Sequence, residues 1–392
     1  MRIVEIPSFF PPYGGEFCME QAKALASLGH EVTILAHVQL GVTVYPRGWL
    51  QAKTKPRHLK EDGVSIVNTE MRGLPRCPKI NMRRWIAGVR RLFAAYIAEC
   101  GKPDVIHAHC CKWAGYAACL LHREYGVPYV VTEHLSFQLL AEELGEPRPG
   151  IWQVDLLREA YKEAGCVIPV AEELVDDIAP YFGKDYRWTA ISNIVDTDFF
   201  HFQPRPDLVG RRFRFCCVAH YIPVKGYDVL FRAFELLCEE NDKAELHIAG
   251  RFTAGNDCLR AIKSLAIADR VVSHGELDKE GVRRLLYDCD CLVLATRSEA
   301  QPLVLLEAMS TGIPVISTEV IPRSERISGA CHIVPVDDAD SLASAMLRMM
   351  EHYSGASVSV SHKIAEMCSP QAVGQRIASV LEAATLKTAP KS

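Results

Sequence analysis

The sequence lacks every feature that would carry it into or across a membrane. No run approaches the about 18 consecutive apolar residues that a spanning helix requires. The amino terminus, MRIVEIPSFFPPYGG, puts an acidic residue and three prolines where a secretion signal needs an unbroken apolar core. None of the five asparagines opens an Asn-x-Ser/Thr sequon. These absences predict a cytoplasmic protein, peripheral at most on the cytoplasmic face of a membrane. Cysteine is plentiful at 15, but the number is odd and no CxxC pair occurs. That excludes a zinc ribbon or a thioredoxin-like centre and fits free thiols in a reducing compartment. Internal repeats and low-complexity tracts are also missing.

What remains is ordinary globular material. A chain of 392 residues, 49% apolar and 23% charged, predicts a soluble protein of two domains. The net charge of -4 excludes binding to polyanions over the whole surface.

Short apolar runs alternate with amphipathic stretches. Arg2 to Ile6 reads as a strand, Phe17 to Leu28 as a helix closed by Gly29, and Glu31 to Ala36 as a strand. That is one βαβ unit, which requires parallel pairing. Further strands are predicted at 104–109, 129–132, 166–170, 213–218, 245–249, 270–273, 291–295 and 314–317, with a helix at 227–239. Continuous apolar strands between helices predict doubly wound parallel sheets, an α/β fold of two Rossmann-like domains. The proline-bearing segment 198–212 reads as the linker. The expected division is 1–204, rejoined by a carboxyl-terminal helix at about 371–392, and 205–370. Ligands of such sheets bind at the carboxyl ends of strands, so an interdomain cleft is the expected site.

The most informative segment is Arg297-Ser-Glu-Ala-Gln-Pro-Leu-Val-Leu-Leu-Glu307. A buried strand ends near Ala295, and Pro302 stands where proline suits the first helical position. Backbone N–H groups of Ala300, Gln301, Leu303 and Val304, beside Pro302, then face the positive end of a helix dipole. That arrangement is suited to phosphate. Glu299 and Glu307 flank the same anion pocket, offering acceptors for sugar and ribose hydroxyls.

The segment resembles the Glu-x7-Glu signature of the retaining GT-B glycosyltransferases, group 1 and family 4-like. The following Thr311-Gly312-Ile-Pro314-Val315-Ile316 matches that family's next strand, and the likeness runs from residue 1 to about 385. The resemblance implies a GT-B fold and transfer of a sugar from a nucleotide diphosphate, UDP- or GDP-linked, to a glycan or lipid-linked acceptor, as in polysaccharide or glycolipid biosynthesis. It implies no cofactor beyond the nucleotide sugar and no bound metal. By the same likeness, Gly14-Gly15 approach the donor phosphates. His109 of Asp104-Val-Ile-His-Ala-His109 faces the cleft near the transferred sugar, with His107 expected on the opposite side. Asn193-Ile-Val-Asp196 is an interdomain hinge.

His220-Tyr-Ile-Pro-Val-Lys225-Gly226 matches a stretch that usually reads Arg-x4-Lys, whose cations neutralise the diphosphate. Lys225 is kept, but His220 replaces the arginine and offers neither a permanent charge nor a bidentate fork. Gly250 and Leu277 fall where main chain cradles ribose and base. Glu299, His109 and Lys225 are the implied catalytic residues, and Glu307 holds the ribose. Loops at 38–59 and 135–151 are expected to take the acceptor.

Other readings of the chain are a non-hydrolysing sugar-nucleotide 2-epimerase or an inactive sugar-nucleotide-binding subunit. Asp288-Cys-Asp290 precedes a strand instead of following one, so it reads as a corner and not a metal motif. Residues 47–102 hold 13 Lys/Arg against four Asp/Glu, a local charge of +9. Within them, 81–99 predicts an amphipathic helix with Trp85, Val89, Leu92, Phe93 and Tyr96 on one side. Its stripe serves either as core or as a surface for anionic lipid.

Overall fold

The computed structural model describes residues 1–205 and 210–386. Pro206 of the expected linker and 387–392 of the expected last helix lie outside the described residues. The chain forms two compact units, residues 1–194 with the segment from Pro370 onward, and residues 195–369.

The first unit is built on seven strands, β1 (Arg2–Pro7), β2 (Glu31–Leu40), β3 (Arg57–Glu61), β4 (Val64–Arg72), β5 (Val105–His109), β6 (Tyr129–Glu133) and β7 (Cys166–Pro169). Their order is β3-β4-β2-β1-β5-β6-β7, parallel except for β3 against β4. β5 and β6 are buried along their whole length, as expected of strands covered on both faces. The β3–β4 hairpin was not anticipated. Its edge strand, Arg-His-Leu-Lys-Glu, is mostly exposed and charged, so it carries no apolar run, and such charge protects an edge from further pairing.

The Pro78–Cys100 helix buries Trp85 and Phe93 to 2% and 0% exposure, with Val89, Leu92 and Tyr96 beside them. That stripe is core, so no lipid can reach it. Arg83, Arg84, Arg90 and Arg91 point to solvent. The final helix, Pro370–Leu386, adds Val373, Ile377 and Leu381 to the core that holds Leu25 and Ile34. Among the described residues no helix is long and apolar enough to cross a membrane.

The second unit has six strands, β8 (Phe213–Val218), β9 (Ala244–Ala249), β10 (Val271–Ser273), β11 (Cys291–Leu294), β12 (Val315–Thr318) and β13 (Cys331–Val334). They run parallel in the order β10-β9-β8-β11-β12-β13. From β8 the chain first winds one way to β9 and β10, then crosses back to β11. The carboxyl ends of β8 and β11 therefore mark a switch point, where the loops diverge and leave a crevice.

Candidate functional site

A pocket of about 380 Å³ opens at that switch point. The loops after β8, β9 and β11 bring His220, Lys225, Gly250, Arg251, Glu299 and Gln301 to it, and Leu277, Pro302, Leu303 and Val304 complete its wall. Two glycines set how closely these loops meet. Gly226 has φ 63°, and a Cβ there would lie 1.9 Å from the Ala295 carbonyl oxygen. At Gly250, with φ 136°, it would lie 2.1 Å from that of Ala219. Any side chain would push the loops apart, so glycine is required at both positions.

The Pro223–Lys225 turn is clamped from the β11 loop. The Arg297 N–H donates to the Val224 carbonyl at 2.8 Å, while its guanidinium binds Asp228 at 2.7 Å and Asp337 at 2.6 Å. Held in this way, Lys225 Nζ donates to Glu299 Oε1 at 2.6 Å. The lysine and the first glutamate of the signature, 74 residues apart, are thus each other's partners.

His220 Nδ1 accepts the Arg251 backbone N–H at 3.2 Å. The neutral ring therefore carries its proton on Nε2. Burial, then Arg251 and Lys225, hold its pKa below the usual histidine value, so it presents one uncharged donor at neutral pH. Arg251, a permanent cation, also lines the pocket, with Nε 3.6 Å from Glu276 Oε1. The sequence reading stopped at Gly250 and missed it. Its signal was simply a basic residue next to a predicted backbone-approach glycine.

Pro302 caps the helix at φ -76°, ψ 103°, and the helix runs Leu303–Ser310. The expectation of proline at the first helical position is corrected by one residue, because its extended ψ keeps it outside the helix. Leu303 and Val304 open the first turn, where N–H groups have no helical partner. Ala300 sits in the loop between Glu299 and Gln301 but is not part of the wall. Glu307 is half-buried in the helix and also does not line the pocket. Burial lifts its pKa to about 7, against the lowering effect of Lys279 and with a further rise from Asp196. Lys279 and Asp196 pair at 2.9 Å.

The remaining predicted residues lie in the first unit. Gly15 is the N-cap of the Glu16–Ser27 helix. His109 is 0% exposed, and Phe17 and His134, stacked on one another at 3.7 Å, each lie 6.0 Å from its ring. His109 stands at the end of β5, covered by these two rings. His107 does not face the other way. Residues two apart on a strand share a side, and both imidazoles meet the Glu5 carboxylate. Asp290 accepts both guanidinium nitrogens of Arg211, at 2.6 and 2.7 Å, and the Arg214 N–H at 2.9 Å, which is a structural corner.

Residues 14–193 match the family described as "Glycosyl transferase 4-like domain", and residues 212–352 that described as "Glycosyl transferases group 1". The chain is similar to the teichuronic acid biosynthesis glycosyltransferase TuaC of Bacillus subtilis, 24% identical with 89% of each chain covered. Sucrose-phosphate synthase from Thermosynechococcus elongatus has the same fold, with TM-score 0.76 and 17% identity over 97% of this chain and 98% of that one. So does Anabaena Alr3699/HepE, solved in complex with UDP, with TM-score 0.73 and 16% identity over 97% and 100%.

Proposed function

For a chain that belongs to the GT-B glycosyltransferases of group 1 and the 4-like family, we propose transfer of a sugar from a nucleoside diphosphate to an acceptor hydroxyl, with retention at the anomeric carbon. The observation that carries this reading is the second unit's pocket. It gathers Lys225, Arg251, the His220 N–H and a helix start in one pocket with a carboxylate, Glu299. Donors of this kind suit a diphosphate, and they count most where charge grows on the leaving group. The UDP bound by HepE supports uridine as the first base to test.

In this scheme the bond from C1 to the diphosphate oxygen breaks, the acceptor oxygen bonds to C1, and its proton ends on the nucleoside diphosphate. No protein nucleophile takes part. Lys225 releases Glu299 to meet the diphosphate, which frees the carboxylate to orient sugar hydroxyls. Glu307, in the helix behind the pocket wall, is proposed for the ribose on the resemblance alone, and reaching it requires the helix start to shift or the donor to extend past Val304. A separate cavity of about 500 Å³ in the first unit, walled by Phe10, Tyr13, Glu16, Lys53, Arg57 and Glu70, is the proposed seat of the acceptor. The transfer step needs no metal of its own. Neither matching family favours a 2-epimerase or an inactive binding subunit.

Thermal shift against UDP-, GDP- and ADP-sugars tests the site, since a ligand at a hundred times its Kd adds about 2.7 kcal/mol of stability. Donor hydrolysis by the native chain but not by Glu299→Gln is the expected outcome. Stabilisation by none of these donors would defeat the reading. Product NMR reports the anomeric configuration, and an inverted product would remove retention while leaving the donor class intact.

A further inference from the structure

We propose that the acceptor presents an uncharged sugar ring to the first unit's cavity, not a phosphate or another anion, and that Asn68 and Arg57 read one of its hydroxyls. The inference rests on the placing of the acceptor in that cavity and makes no use of the donor pocket. β4 alternates, so Ile66, Asn68 and Glu70 share a side, and all three line the cavity. β3 runs antiparallel beside it with Arg57 directly opposite Asn68, which puts both side chains on that same side. Asn68 is 6% exposed, and its Oδ1 has no hydrogen-bond partner among the described residues. The same holds for the buried Nε of Arg57. An unpaired acceptor and an unpaired donor thus line one cavity from adjacent strands, and buried polar groups are rarely left so.

Few ligand groups meet both demands. A hydroxyl accepts from the Nε–H and donates its own hydrogen to the Asn68 oxygen, whereas a dianionic phosphate or a carboxylate has no hydrogen to donate. Charge points the same way. Arg57 Nη2 already donates to Glu70 Oε1 at 3.1 Å, and Glu70 Oε2 accepts the Lys53 backbone N–H at 2.7 Å. The guanidinium is therefore balanced and held in place, and it offers the Nε–H without a free positive charge. Lys23 is likewise tied to Glu61 at 2.8 Å and Asp62 at 3.0 Å. Around the whole wall four glutamates stand against Lys23, Lys53 and Arg57, a net charge of -1 that disfavours anions. Phe10 and Tyr13 add ring surface for the apolar C–H face of a pyranose. Apolar walls with a few placed polar groups are the usual build of a small-ligand site.

The test is saturation-transfer NMR on the full chain without donor, with the methyl glycosides of glucose, galactose, mannose and N-acetylglucosamine as probes. At least one should bind, to the native chain and to Lys225→Ala alike. Asn68→Leu should weaken that binding roughly tenfold or more, as removal of one partner of a buried hydrogen bond does. Gln51→Trp, a change at an exposed position on the cavity wall, should block it and serves where Asn68→Leu does not fold. Native affinity in either folded variant overturns the proposal, as does failure of all four glycosides. Tighter binding of glucose 6-phosphate than of methyl glucoside overturns it too. So does binding of octyl glucoside where methyl glucoside fails, since the lipid tail is then what is read. Because no donor is present, failure here beside a normal thermal shift with nucleotide sugars strikes this acceptor class and leaves the transferase reading standing.

Discussion

The guanidinium of Arg251 follows Gly250 directly, and its backbone N–H fixes the tautomer of His220. Arg251 and Lys225 are thus two permanent cations on the wall of one pocket. Replacing Arg251 with alanine removes a charged donor worth about 1.5–3 kcal/mol, so the donor KM should rise roughly 10- to 100-fold in steady-state kinetics. His220→Arg should lower KM, since it adds a third permanent charge beside Lys225 and Arg251. Glu307 gives a pH prediction. Its pKa is about 7 when folded, against the ordinary 4.5. The folded state therefore binds the extra proton between those values. Stability from this residue falls as pH rises from about 4.5 to 7 and stays low above that range. Glu307→Gln should flatten the decline in Tm across that window, as read by scanning calorimetry.

At the scale of elements, the tight joint between the β8 and β11 loops rests on Gly226. A methyl group 1.9 Å from the Ala295 carbonyl cannot be accommodated without moving main chain. Gly226→Ala should lower Tm by several degrees and abolish the thermal shift with the donor, because Lys225 would lose its alignment with Glu299. The alternating strands and helices were legible because parallel strands covered on both faces read as unbroken apolar runs. β3, β4 and β13 were not. β3 is charged, and β13, Cys331–Val334, exposes His332 and Ile333 at a sheet edge. The Glu-x7-Glu segment, Lys225 and Gly250 were legible as local motifs. Two things could not be read along the chain: the pairing of Lys225 with Glu299, and the meeting of Glu5 with two histidines about a hundred residues away. Glu5 reads locally as one more strand residue, and only the β1–β5 register gives it partners.

At the scale of the molecule, the core of the first unit draws on both ends of the sequence. Leu381 is fully buried beside Leu25 and Val373. Leu381→Ala should cost about 2–5 kcal/mol, as large-to-small core changes do. Calorimetry that resolves two transitions should show the loss in the first unit alone. The order of synthesis follows from the same helix. With translation at about 5–20 residues per second, the ribosome must deliver the whole second unit before Val373, Ile377 and Leu381 appear, a delay of roughly ten to thirty seconds. Throughout that interval the nascent first unit leaves an apolar groove unfilled. The second unit, whose strands are contiguous in the chain, can close earlier, so the half that is made first is the half that matures last.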